Sequence, residues 1–426
     1  MLTDLLEELA REAPTGGAPP GQLWRRGRRV ARTRRVGTVA IASIACLLLV
    51  ALGSATWQQR AVEVPATDAE TGSFLPSQFH KPSPYLPGTD SIGPMGTLIA
   101  MVAAPRKGWF GSTEGLVGVS AQTGAYAFLD LPDAASGFLR EAALAPDGRH
   151  IAYWTTGHVP NPVPDREGDT INGYAVYDTV TGEVVSQKPS TERGIGHGVF
   201  VWFDPTHLGV DFGQMQDCCG STDHRAMVFD LDSAEQVDLS TDIDLDGAGT
   251  NGVGSVITVN DDAVIVQVDG STRSVEARQT APRINSSQSV AMTPDSKRVA
   301  AIIGDGAPGR IGVKRVNDDG NGDPIPGTFS GVIGWLDDTH LAALEPRGDN
   351  NPTFDLVSVD VRDGSTEMLS RSLDMFGVAI NLLGSPVRDQ PSPPHPWSPW
   401  IPAVAAAATV AIAAWALFVW RRRASV

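Results

Sequence analysis

The chain has 426 residues, is 42% hydrophobic and carries a formal charge of −16. Residues 1–36 hold +4 and residues 421–426 hold +3, which leaves −23 for residues 37–420. So acidic a middle region argues against nucleic acid or anionic lipid headgroups as its ligand, and favours cations, basic partners or simple solubility.

Residues 1–36 form a cytoplasmic basic segment. Its start, "LTDLLEELAREA" (2–13), offers Thr3 as an N-cap and Leu5, Leu6 and Leu9 as an apolar stripe at helical spacing. The bland reading is a frayed helix; the sharper one is a docking helix for a cytoplasmic regulator. Seven arginines follow between Trp24 and Val36. Residues 37–57, "GTVAIASIACLLLVALGSATW", carry no charge and are long enough for a transmembrane helix. A cleaved signal peptide is the rival, but the 36-residue leader and the length of the apolar core favour a retained anchor. Arginine-rich flanks stay on the cytoplasmic side, so the N terminus faces inward and the middle is exported.

Residues 58–95 are rich in Pro, Ser, Thr and Gly and read as an irregular or extended tether. Residues 96–384 form the main domain. Hairpins of one kind recur there: "AALAPDGRHIAYW" (142–154), "FVWFDPTHLGVDF" (200–212), "VITVNDDAVIVQV" (256–268), "VAMTPDSKRVAAI" (290–302) and "VIGWLDDTHLAAL" (332–344). A second kind follows most of them: "YAVYDTVTGEVV" (174–185), "AMVFDLDSAEQVDL" (226–239) and "LVSVDVRDGSTEML" (356–369). An early member, "LVGVSAQTGAYAFL" (116–129), has only "GTLIAMVAA" (96–104) before it. Paired hairpins repeated along a chain predict an all-β fold, a single β-propeller of about six four-stranded blades flanked by two transmembrane helices. Residues 385–399, with six prolines in fifteen, predict a stiff stalk. Residues 400–420, "WIPAVAAAATVAIAAWALFVW", predict the second transmembrane helix, and Arg421, Arg422 and Arg423 place the tail 421–426 in the cytoplasm.

The blade segments "LAPDGRHIAYW" and "MTPDSKRVAAI", set against "YDTVTGEVV", resemble the TolB-type and WD-repeat-like propellers of bacteria. The Ala-, Gly- and Arg-rich spans resemble those of actinobacterial membrane proteins. The Trp-Asp dipeptide is absent from the blades. The resemblance implies a binding scaffold more often than a catalyst, and fold alone fixes no function. The N-terminal segment before a span is similar to the leader of anti-sigma-like membrane proteins, which implies a sigma-factor-like partner.

Candidate sites are few. "DCCGSTDH" (217–224) sets adjacent Cys218 and Cys219 among Asp217, Asp223 and His224. Export favours oxidation, and Cys46 lies in the first span, so a bridge within the chain would join neighbours. Ordinary disulfides prefer a longer Cα separation than adjacent residues allow. Free thiols, an interchain bridge or a metal site remain open beside that vicinal disulfide. "DIDLDG" (242–247) offers Asp242, Asp244 and Asp246 as candidate calcium ligands on alternate residues, although Val253 stands where an EF-hand has its bidentate Glu. An acidic turn explains the same residues. "NDDGNGD" (317–323) repeats the spacing with Asp319, Asn321 and Asp323, but Pro324 replaces the glycine.

No catalytic or cofactor-binding residue stands out: the chain lacks a G-x-S-x-G elbow, an H-E-x-x-H helix and a phosphate-cradling glycine loop. His207 and His340 repeat in equivalent turns, "PTHL" and "DTHL", which predicts a structural role. The expected function is a membrane-tethered extracytoplasmic scaffold, non-catalytic, that binds an envelope protein, peptide or glycan. A transmembrane sensor acting on transcription and a cell-envelope hydrolase or lyase are the alternatives.

Overall fold

The computed structural model describes residues 72–108, 111–163, 170–216, 221–239, 243–259, 263–268, 272–275, 290–303, 308–316, 322–347, 353–371, 377–396, 398 and 400–424. The chain divides into two units, residues 64–396 and a second comprising 1–63 with 397–426. The expectations for residues 1–71, the first span included, lie outside the described residues.

Among the described residues of the first unit, all strands but one short parallel pair fall into six antiparallel groups of four. The first is Leu98–Lys107, Ser112–Ser120 and Tyr126–Phe128, completed on its inner edge by Gly377–Val378. The second is Ala143–Leu144, His150–Thr156, Ile171–Asp178 and Val184–Gln187. The third is Ile195–Trp202, His207–Met215, Ser221–Asp230 and Gln236–Asp238. A single pair, Ile171 with Ile195, links the second and third into one eight-stranded sheet. The fourth is Gly249–Thr250, Ser255–Val259, Ala263–Gln267 and Thr272–Val275. The fifth runs from Val290–Met292 through Arg298–Ile303 and Arg310–Arg315 to Asp323–Pro324. The sixth is Gly331–Trp335, His340–Pro346, Phe354–Asp360 and Thr366–Arg371. This is a propeller-like, all-β arrangement.

Sheets packed face to face have two dry sides, so their middle strands cannot alternate apolar with polar. Ile171–Asp178 is buried at every position except its last, whereas the outer strand Gln236–Asp238 is exposed throughout. Between the second and third sheets, Trp154 lies 4.1 Å from Phe200 ring to ring, with Tyr174 edge-on to both. Each such buried aromatic removes roughly 150–250 Å² from water, of order 4–6 kcal/mol at about 25 cal/mol per Å².

One clip recurs between neighbouring sheets. The indole N–H of Trp202 donates to the Ala143 carbonyl of the second sheet (3.0 Å), and that of Trp335 donates to Ala291 of the fifth (3.2 Å). His150 stacks on Trp202, and Arg298, its counterpart, lies over the ring of Trp335. The same two residues reach equivalent carbonyls one turn on: His150 Nδ1 stands 3.0 Å from the Pro205 oxygen, and the Arg298 guanidinium donates to that of Asp338. A repeated Trp in "VWFDPTH" and "GWLDDTH" was the available sequence signal.

Two sequence expectations need correction. The hairpin 256–268 joins the second and third strands of its sheet, not the first and second. The true inner strand, Gly249–Thr250, has no apolar side chain and is invisible to hydropathy. Its turn is built by Asn251, whose Oδ1 accepts from the N–H groups of Val253 and Ser255. Gly252 and Gly254 supply the positive φ that the turn requires (70° and 111°). The second correction concerns residues 72–95, read as a tether. Phe74, Leu75, Phe79 and Leu86 are buried, the last three within the core of the first and sixth sheets. Leu75–Pro76 pairs in parallel with Val387–Arg388 of the Pro-rich stretch. Four anchors scattered among prolines have no period to detect.

In the second unit, Trp400–Ala424 forms one 25-residue helix. Several of its side chains lie outside those described, and among the described residues no helix is long and apolar enough to cross a membrane.

Candidate functional site

The six inner strands enclose a cavity of about 390 Å³. Each contributes a wall residue: Leu144, Phe200, Thr250, Val290, Val332 and Val378. At one end lie turns that join first and second strands of the sheets, and the short helical turn Ile380–Leu382 reaches two of them. Asn381 ties two turns together: its N–H donates to the Pro146 carbonyl (2.9 Å) and its Nδ2 to that of Gly252 (3.3 Å). A Cβ at Gly252 would stand 2.7 Å from Asn381 Oδ1 and on a backbone at φ 70°, so a side chain there would be strained and would displace Asn381. At the other end the lining becomes polar, with Arg140, Glu141 and Asp246 on the connectors that enter the inner strands. Arg140 is held by Glu114 at 2.7 Å. A hollow whose surface is about as polar as it is apolar, with charged groups at its mouth, suits a small ligand or an inserted side chain.

His207 and His340 do occupy equivalent turns. Asp204 accepts from the N–H groups of Thr206 and His207, and His207 Nδ1 stands 2.9 Å from its Oδ2. Asp337, Thr339 and His340 repeat the arrangement. Burial opposes ionisation of Asp337, yet these donors bring its carboxyl down to about 2. Such turns are structural.

The acidic connector is extended. Ile243 and Leu245 are buried between the third and fourth sheets, and Asp244 and Asp246 are exposed. Asp244 Oδ1 accepts from the Asp246 N–H at 2.8 Å, closing the turn. Asp242 lies outside the described residues, as do Cys218, Cys219, Asp319 and Asn321, while Asp323 begins an outer strand. Among the described residues no group of three His, Cys, Asp or Glu could hold a metal ion.

Of the stretch "DCCGSTDH", the strand Ser221–Asp230 places His224 in a cluster that hydropathy does not signal. Ser221 Oγ lies 2.9 Å from His224 Nε2. On its other side, His224 Nδ1 stands 3.8 Å from Oδ1 of Asp211, on the adjacent strand. Asp211 is 6% exposed, and its Oδ2 accepts from the Leu245 N–H at 3.0 Å. Its Oδ1 is buried with no hydrogen-bond partner among the described residues. Burial first, and the charge of Asp244 with it, push the Asp211 carboxyl up, against the pull of Leu245 and His224. Ser221 and Asp211 were missed because nothing in their spacing marks them; only the pairing of two strands joins them.

The strand pairing thus defines an all-β, propeller-like domain with a central hollow. No family model matches the chain, and no curated protein does. Among solved structures it is similar to TolB from Acinetobacter baumannii, at 15% identity and a TM-score of 0.41 over 67% of each chain. It is similar also to an uncharacterized protein from Listeria monocytogenes EGD-e, at 11% identity and a TM-score of 0.39 over 66% of this chain and 83% of that one. A puromycin-hydrolyzing peptidase of Mycobacterium tuberculosis is matched at 15% identity and a TM-score of 0.37, over 64% of this chain and 45% of the peptidase. At these scores the likenesses say nothing about activity.

Proposed function

We propose that this chain is a membrane-tethered, extracytoplasmic six-bladed propeller that binds a peptide, a glycan or an envelope protein at the polar end of its central cavity. The observation that carries the reading is the cavity itself, walled by residues from all six inner strands, with Ile380 of the short helical turn at its far end. Six four-stranded groups, with Gly377–Val378 closing the first, support the blade number. The tether is supported by two uncharged 21-residue stretches with arginine flanks.

Ala248 lines the cavity, and Ala248→Trp would fill it. The full chain in detergent should capture a partner from envelope extracts, and the variant, still folded by circular dichroism, should lose it. Equal capture by the two would remove the cavity from the reading. For topology, alkaline phosphatase fused after residue 250 should be active and fused after Val426 inactive.

A further inference from the structure

Ser221 and His224 are three residues apart, and on an unbroken strand they would point to opposite faces. The ladder shifts here: Phe212 pairs with Arg225 but Gln214 pairs with Thr222, so Gly213 faces two residues, Asp223 and His224. This bulge turns Ser221 and His224 to one face, a known use of the irregularity beside reactive groups. Two glycines make the room. A Cβ at Gly213 would stand 2.8 Å from Ser221 Cβ and 3.1 Å from His224 Nε2, and one at Gly196 would stand 2.9 Å from Ser221 Cβ. With Ser221 donating to Nε2, the remaining imidazole proton sits on Nδ1 and points toward the unpartnered Oδ1 of Asp211. A buried carboxylate oxygen without a donor keeps its full desolvation penalty, and a closer approach of His224 would relieve it. Such bonds are often long before substrate arrives. His224 is about half exposed, so the group is open to solvent.

We propose that Ser221 is an acyl-accepting nucleophile, with His224 as its base and Asp211 as the positioning residue, and that the site hydrolyses uncharged or cationic carboxylic esters. Ser221 Oγ forms a bond to the ester carbonyl carbon while its proton passes to His224 Nε2. The intermediate collapses by breaking the carbon–alkoxide bond, and the leaving alkoxide takes that proton. Water then attacks the acyl-serine, gives a proton to Nε2, and Ser221 regains it as the acid departs. The nearby charge of Asp244 disfavours anionic acyl groups. None of these residues lines the central cavity, so the proposal stands apart from the binding reading.

The test uses the full chain in detergent with a fluorophosphonate–biotin probe and p-nitrophenyl acetate. One phosphonate per chain should appear on the peptide containing Ser221. Ser221→Ala should abolish it, and His224→Gln should slow it about 100-fold, the lower end of what a positioned base supplies. Asp211→Asn should lower kcat for the ester about tenfold or more with KM unchanged and the melting temperature not reduced, which a purely structural role would not produce. No label at Ser221, or equal labelling rates with and without His224, overturns the proposal. An unchanged kcat in Asp211→Asn removes Asp211 from it.

Discussion

The third sheet meets a neighbour on each side, and both seams carry histidine and aspartate. Toward the second sheet and in its own turn, most polar groups are used: Trp202 donates to Ala143, His150 reaches Pro205, and Asp204 gathers Thr206 and His207, while the buried Trp154 Nε1 has no partner among the described residues. Toward the fourth sheet, Asp211 keeps one buried oxygen without a partner among the described residues, and His224 stands 3.8 Å away. Satisfied networks rigidify a fold. An incomplete one within reach of solvent is where chemistry is worth seeking.

The sharpest way to break that contrast is to remove the clip. Trp202→Ala takes away a side chain that is 3% exposed and should cost about 3–5 kcal/mol, measured by denaturant unfolding. Trp335→Ala should behave alike, since its clip is the same. A loss below ~1 kcal/mol in either would mean that the clip does not hold its seam.

The two aspartates come next, with opposite signs. Asp204→Ala strips the acceptor from a half-buried turn and should destabilise by about 1–3 kcal/mol. Asp211→Asn keeps an acceptor for Leu245 and removes a charge that burial disfavours, so stability should hold or rise. Equal losses would erase the distinction between the seams.

Acid sharpens the comparison further. Burial opposes the charge on Asp178, but Arg149 and the N–H groups of Val180 and Thr181 bring its carboxyl from 3.8 down to about 2. Asp295, bonded to Thr293 and Lys297, also falls to about 2. A depressed folded pKa stabilises above the unfolded value and is lost as pH falls through the folded one. Melting temperature should therefore fall between roughly pH 4 and 2, and Asp178→Asn should flatten that fall. An unchanged slope would exclude Asp178.

The smallest effect concerns the acidic connector. Asp244 closes a turn at the surface, so Asp244→Ala should cost no more than about 1 kcal/mol. That loss should be the same in chelator and in millimolar calcium. A calcium-dependent rise in melting temperature that the variant lacks would instead assign Asp242, Asp244 and Asp246 to a bound cation.

The sequence by itself determined the all-β class and the hairpin repeat, because middle strands dry on both faces read as apolar runs such as "YAVYD" and "HLGVDF". It also marked the turns where Asp204 and Asp337 cap backbone N–H groups, since that bonding is local. Only the tertiary structure decided the inner strand Gly249–Thr250, which has no side-chain signature, and the burial of Phe74, Leu75, Phe79 and Leu86. It alone joined Asp211 to His224 and Ser221. That contact depends on a one-residue shift between two strands, and a ladder register is a property of the pair, which neither strand states in its own residues.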